Sequence, residues 1–323
     1  MLAKLRLDPF LLAILVAALV ASVLPARGGA VPVLDAVVAV AIFALFFLYG
    51  ARLSPQEALA GLRHWRLHAV ILGFTFVAFP LLGLALTPVL RPLLGDALAA
   101  GLLYVTLVPS TVQSSIAFTS VARGNVAGAI VSASASNLVG VVLTPLLVMA
   151  LMTTTGTVSV SPQAFGDIGV QLLLPFVLGQ VAGRWIRPWV TAHAAPLKLV
   201  DRGSIVLVVY SAFSAGMREG IWSRVTGPAL LGVLVVCLAI LALMLWLTRW
   251  VAERLGFDRG DQIAIQFCGT KKSLASGLPM ALVLFAGQPV GLMVLPLMVF
   301  HQAQLMWCSA LAARYATEQR TGD

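Results

Sequence analysis

Charge is what this sequence has least of: 10% of its 323 residues are Asp, Glu, Lys or Arg, while 60% are hydrophobic. Soluble domains carry about 25% charged residues, so this supply cannot clothe a water-facing surface. Carboxylates are the scarcer sign, with 12 Asp and Glu against 21 Lys and Arg. Cysteine is confined to Cys237, Cys268 and Cys308, all inside apolar stretches, an odd set that argues against a disulfide framework. The histidines His64, His68, His193 and His301 show no close metal-ligand spacing, and His301 reads as a packed helix residue. These absences exclude disorder, a secreted disulfide scaffold and a DNA-binding domain. They also disfavour an intramembrane enzyme, which needs a nucleophile, base or metal set at membrane depth. What is present is apolar length, with a mean hydropathy of +1.00. At about 20 residues per crossing the chain has room for about ten crossings, so the fold class is an all-α polytopic membrane protein whose first partner is the lipid bilayer.

Apolar runs bounded by charge, Pro or Gly fall at 10–25, 33–49, 68–90, 97–121, 126–152, 165–186, 205–216, 227–247, 262–285 and 290–313. The net charge of +9 would suggest nucleic acid in a soluble protein, but in a bilayer it sets orientation, and no nucleic-acid partner is expected. With a cytoplasmic N-terminus, fifteen basic residues fall in inner loops and four, Arg27, Arg91, Arg218 and Arg224, in outer ones. That bias predicts a multi-pass protein of the cell membrane with both termini cytoplasmic, which is the inner membrane if the cell is Gram-negative. The first span has a signal-peptide look, but it has a counterpart in the second half and reads as retained.

The two halves repeat weakly, in the same order. Pro9-Phe10-Leu11-Leu12 matches Pro175-Phe176-Val177-Leu178, Ser110–Ala117 matches Gly269–Ala275 with one gap, and Thr144-Pro145-Leu146-Leu147 matches Leu295-Pro296-Leu297-Met298. Five crossings per half is an odd number, so the second half enters the membrane from the opposite side. The expected organisation is two inverted five-helix repeats, 1–155 and 160–316, with a tail at 317–323. Such repeats are typical of secondary transporters, whose sites lie at broken helices near the midplane.

Two spans carry polar islands fit for such breaks. The fourth holds Pro109, Ser110, Thr111, Gln113, Ser114 and Ser115, and the ninth holds Gly269, Thr270, Lys271, Lys272 and Ser273. Measured at 1.5 Å per residue, Arg259 to Gly269 is about 15 Å of helix, half of a ~30 Å core. Pro109 lacks an N–H and Gly269 is conformationally permissive, so each can end a half-helix and free backbone groups for ligands. The hydroxyls can instead serve only to repair kinked helices, and Asn137 in the fifth span can act as helix-to-helix glue or complete an ion site. A lysine at a helix centre costs about 2.5–3.5 kcal/mol, so an adjacent pair needs a reason. Their side chains project about 100° apart, which sends one toward an anionic substrate and the other toward half-helix carbonyls or water.

The segments Pro109–Thr119, Ala122–Val126, Ser136–Leu138 and Phe267–Gly277 resemble the bile acid:sodium symporter family, specifically its divergent bacterial branch similar to solute carrier family 10 member 7. The resemblance covers nearly the whole chain. It implies a panel domain of helices 1, 2, 6 and 7 and a core domain of helices 3–5 and 8–10, with helices 4 and 9 broken and crossing. It further implies transport of a small organic anion by alternating access, without catalysis. A sodium ion held at Ser114 and Ser115 is the one metal the resemblance carries over. In the family the ninth helix supplies an acidic residue and then x-Gly-x-Gln-Asn; here those positions are Phe267, Gly269, Lys271 and Lys272. An ammonium about 4 Å from a sodium ion repels it by several kcal/mol at an effective dielectric of about 20, so at least one sodium site is expected to be missing. The expectation is that a lysine ammonium stands where an ion would be, leaving coupling to one remaining ion, to protons or to none. The rival function is a membrane regulator or ion-homeostasis protein without bulk transport.

Overall fold

The computed structural model describes residues 9–52, 64–153, 155, 169–218, 220 and 226–321. Lys4, Arg6, Arg63, Arg224 and Asp167, the start of the sixth span and the junction between the expected repeats lie outside these residues. The described residues are helical, without strands. We number the helices α1 (Pro9–Val23), α2 (Ala30–Arg52), α3 (Trp65–Leu94), α4 (Asp96–Leu107), α5 (Gln113–Val121), α6 (Val126–Met152), α7 (Gly169–Ala192), α8 (Ala194–Arg218), α9 (Gly227–Arg254), α10 (Arg259–Thr270), α11 (Leu274–Leu284) and α12 (Val290–Thr321). Within them, Phe74–Ala78 of α3, Val148–Met152 of α6 and Gly169–Leu173 of α7 wind as π-helix.

Seven of these helices, α2, α3, α6, α7, α8, α9 and α12, are long and apolar enough to cross a membrane. Ten runs were legible in the sequence. The difference lies in α1, of 15 residues, and in the fourth and ninth spans, which are cut into α4 with α5 and α10 with α11. Several starts follow local chemistry. Asn125 accepts from Gly128 N at 2.8 Å to cap α6, Thr226 caps α9 ahead of Pro228, and Asp258 accepts from Asp261 N at 2.9 Å to cap α10. Between α3 and α4 the chain turns at Gly95, whose φ of +82° suits a residue without a Cβ.

The chain divides into two compact units, Met1–Arg52 with Pro162–Val225 and Ala281–Leu292, and Leu53–Ser161 with Thr226–Met280 and Met293–Asp323. In the first unit α1 packs on α8 and α2 packs on α7. The second pair is very close, because Gly50 and Gly179 each lie directly against a carbonyl of the other helix, at Phe176 and Phe47. Any Cβ there would push the helices apart, so small residues set the spacing. Arg52 pairs with Asp201 at 2.5 Å, and Ser214 Oγ accepts from Ala26 N at 2.6 Å.

In the second unit α3 packs on α4 and α9 on α10, and α10 also touches α3, α5 and α6. Leu67, Ile71, Ala129, Ala252, Ala264, Ile265 and Cys268 fill the junction of α3, α6, α9 and α10. Gly140 of α6 lets that helix press on the fourth-span break, where an added Cβ would stand 2.6 Å from Pro109 Cβ. Apolar side chains such as Leu19, Leu231, Val235 and Trp246 face outward, while Ser110, Ser115, Thr270, Lys271, Lys272 and Gln304 are buried. This polarity, apolar outside and polar within, belongs to a chain whose outer solvent is lipid.

Candidate functional site

At the end of α4 the chain leaves the helix at Val108, which is extended (φ −75°, ψ 155°), and α5 starts five residues later at Gln113. A break at membrane depth exposes carbonyls that water cannot satisfy, so each must find a partner in the protein. Five in succession do. Thr106 O and Val108 O accept from Lys272 Nζ at 2.8 and 2.9 Å, and Leu107 O accepts from Thr144 Oγ1 at 2.9 Å. Pro109 O accepts from Ser273 N at 2.8 Å, and Ser110 O accepts from Asn137 Nδ2 at 2.7 Å. Ser110 N in turn donates to Ser136 Oγ at 3.0 Å.

The ninth-span break is shorter. Helix α10 runs through Gly269 to Thr270, Lys271 is extended (φ −86°, ψ 149°), and α11 begins at Leu274. Gly269 therefore does not end the half-helix, contrary to the sequence reading. Its missing Cβ matters for packing, since one would lie 3.3 Å from Thr248 Cγ2 and 3.4 Å from Phe74 Cβ. The freed main chain of Lys272 is clamped by one amide, with its N–H donating to Gln304 Oε1 and its carbonyl accepting from Gln304 Nε2, both at 2.8 Å. Gln304 Nε2 also lies 2.9 Å from His301 Nδ1. The two breaks are tied to each other by Ser110 Oγ, which donates to Cys268 O at 2.6 Å, as well as by the Ser273 to Pro109 bond.

Lys272 Nζ completes this junction with a third carbonyl, Thr75 O of α3, at 2.9 Å. The π segment explains why that oxygen is free. Phe79 N–H, the α-helical partner of Thr75 O, bonds instead to Phe74 O, and the π-helical partner would be Pro80, which has no N–H. Three carbonyls thus meet the three donors of one ammonium, and the Phe79 ring covers it with its centroid 4.2 Å away.

Lys271 has the opposite surroundings. Its Nζ is buried with no oxygen or nitrogen partner and only the Cys308 thiol within hydrogen-bonding reach, 3.7 Å from the centroid of the half-buried Phe118 ring and 5.8 Å from that of Phe267. The Cys268 and Cys308 thiols are its polar neighbours, and the Cys268 thiol is also within reach of Ser115. Phe118 belongs to α5, and a helical side chain leans over the turn before it, here the turn of Ser114 and Ser115. Those two hydroxyls lie 2.7 and 3.0 Å from Thr111 Oγ1, and Ser115 Oγ donates to Phe267 O at 3.3 Å. No side chain caps the start of α5. The positive end of its dipole and its first N–H groups are therefore left for another acceptor.

Of the residues singled out in the sequence, the fold gathers Ser110, Thr111, Ser114, Ser115, Asn137, Lys271, Lys272 and Ser273 around the two breaks. Asn137 bridges them, since its Oδ1 accepts from Ser276 Oγ at 2.7 Å and Ser276 Oγ lies 3.1 Å from Ser273 Oγ. Gln113 is exposed at the start of α5, and Thr270 spends its hydroxyl on Gln266 O of its own helix. Residues that sequence reasoning missed are Thr75, Phe79, Phe118, Thr144 and Gln304. The Pro80 that frees Thr75 O was a visible signal, and Gln304 was a buried amide in an apolar span.

A family model described as the SBF-like CPA transporter family matches residues 8–317. The chain is 54% identical to the uncharacterized protein PA2026 of Pseudomonas aeruginosa, over 96% of this chain and 93% of that protein. It is 48% identical to the Escherichia coli protein named "Putative symporter YfeH", over 97% and 95% of the two chains. With the Xenopus laevis sodium/bile acid cotransporter 7-B it shares 28% identity, over 96% and 92%.

Proposed function

The chain belongs to the SBF-like CPA transporter family, and from that premise we propose that it moves a small organic anion across the cell membrane by alternating access, without sodium at its crossing breaks. That it is a multi-pass membrane transporter and not an enzyme follows from the family and from relatives named symporter and cotransporter. The finer reading has ten crossings in two inverted repeats, if α4 with α5 and α10 with α11 each count as one broken span. The first crossing pairs with the seventh and the second with the sixth, which supports a two-fold relation between the halves. The division into two compact units, the first holding crossings 1, 2, 6 and 7 together with Ala281–Leu292, supports a panel and a core that carries the breaks.

The observation that carries the anion is Lys271. A buried ammonium whose polar neighbours are thiols is poorly satisfied, and here it lies under the Phe118 ring of α5, the helix whose uncapped, positive start carries Ser114 and Ser115. A carboxylate or similar anion satisfies all three groups at once. Sodium at Ser114 and Ser115 would meet the same positive surroundings with three hydroxyls, one carbonyl and no carboxylate contact. Those residues do not fit that ion. Phe118 covers the ammonium in this state, and its displacement would open Lys271 to substrate.

Counterflow in proteoliposomes tests this, using a bile acid and a set of small mono- and dicarboxylates with sodium or choline as the cation. The expected result is counterflow of at least one anion at the same rate in both salts. Counterflow that needs sodium would contradict the coupling reading, and its absence for every anion that stabilises the purified protein would favour a non-transporting regulator.

A further inference from the structure

The Lys272 ammonium sits in a cage that has the chemistry of a monovalent-cation site. Backbone carbonyls converging on one point are the groups with which proteins replace the hydration shell of an alkali ion. Here three converge, from Thr75 in the π segment of α3 and from Thr106 and Val108 where α4 ends, all 2.8–2.9 Å from Nζ. The Phe79 ring adds a face that attracts cations, and the whole side chain is inaccessible to solvent. No carboxylate is bonded to this ammonium among the described residues, so the carbonyls are what hold its charge.

We propose that the Thr75, Thr106 and Val108 carbonyls form a latent monovalent-cation site that Lys272 fills with a covalently tethered ammonium. Shortening that side chain turns the protein into one that binds a free cation of similar size. None of these oxygens comes from a side chain, so no substitution at position 272 removes one of them. Its spacing suits an ion of ammonium size, which ranks small alkylammonium and potassium ions above the smaller sodium ion. The lysine thus keeps the junction of α3, α4 and the ninth-span break permanently occupied, and no exchangeable ion enters or leaves there during a transport cycle. The inference does not depend on which anion is moved.

The test is thermal unfolding of the purified protein in choline chloride, with choline then replaced by ethylammonium, potassium or sodium at constant ionic strength. Wild type is expected to unfold at the same midpoint in all four salts. Lys272→Ala is expected to unfold earlier in choline and to regain about 3 °C or more in ethylammonium or potassium, saturably and with a smaller gain in sodium. Lys271→Ala, which leaves the cage filled, should respond to none of them. Recovery of folded Lys272→Ala only when it is purified in ethylammonium or potassium would be the same positive result, read as yield. A Lys272→Ala protein indifferent to all the cations, or one that folds in none of them, would overturn the proposal. So would a stabilisation of Lys272→Ala by potassium or ethylammonium no larger than that of wild type. Because no organic anion is used, failure here is distinct from failure of the transport reading.

Discussion

Lys271 and Lys272 are neighbours in the chain, yet their ammonium groups end in regions of opposite character. One region, between α3, the end of α4 and the ninth-span break, offers three carbonyls to Lys272. The other, beneath Phe118, offers Lys271 two aromatic faces and two thiols, with no oxygen or nitrogen partner. Adjacent residues diverge in any helix, and the extended backbone at Lys271 keeps these two from sharing a cavity. The contrast separates two uses of one residue type. A well-bonded buried charge ties its surroundings together, whereas a poorly bonded one is costly to keep, and on the proposed reading an anion would relieve it.

Substitutions can break or sharpen this contrast. The largest effect is expected from Lys272→Met, which fills the volume but orphans three buried carbonyls at about 1 kcal/mol or more each; the unfolding midpoint should fall by at least about 6–12 °C. Gln304→Leu strips the main-chain N–H and carbonyl of Lys272 of their partner, and a fall of about 4–8 °C is expected in the same assay. Thr144→Val removes one donor, to Leu107 O, and should cost about 1 kcal/mol, or some 2–4 °C. Lys271→Met sits at the small end. Lost cation–π attraction and relief of an unpaired charge oppose each other, so the midpoint should move by less than about 2 °C in either direction. If Lys271→Met proved as damaging as Lys272→Met, the two regions would not differ as described.

The sequence made the two breaks legible because Pro109, the hydroxyl cluster and the lysine pair are conspicuous in apolar spans. It also led to lysines that point apart, but from helical geometry, whereas in the structure the extended backbone at Lys271 separates them. It did not show which lysine is satisfied, because the answer lies in backbone oxygens of distant segments. Thr75 O is available only because the π register and Pro80 together deny it a helical partner, and periodicity does not reveal a π turn of five residues. Gln304 was missed for a related reason: a lone amide in a long apolar helix reads as packing until the break it clamps is known. Gly269 was misplaced as the breaking residue because permissive backbone was given more weight than close packing, which Thr248 and Phe74 impose on it. Seven full-length apolar helices stand where ten runs were legible, because α1 has 15 residues and the runs 97–121 and 262–285 each fold as two shorter helices.

The most direct test of the account is the ligand response of Lys271→Met. Purified wild type and variant are unfolded thermally with and without each of a panel of organic anions at matched ionic strength and pH. The account predicts that at least one anion raises the wild-type midpoint by about 3 °C or more and leaves Lys271→Met unmoved, with the variant otherwise as stable as wild type. An equal rise in both proteins would contradict it.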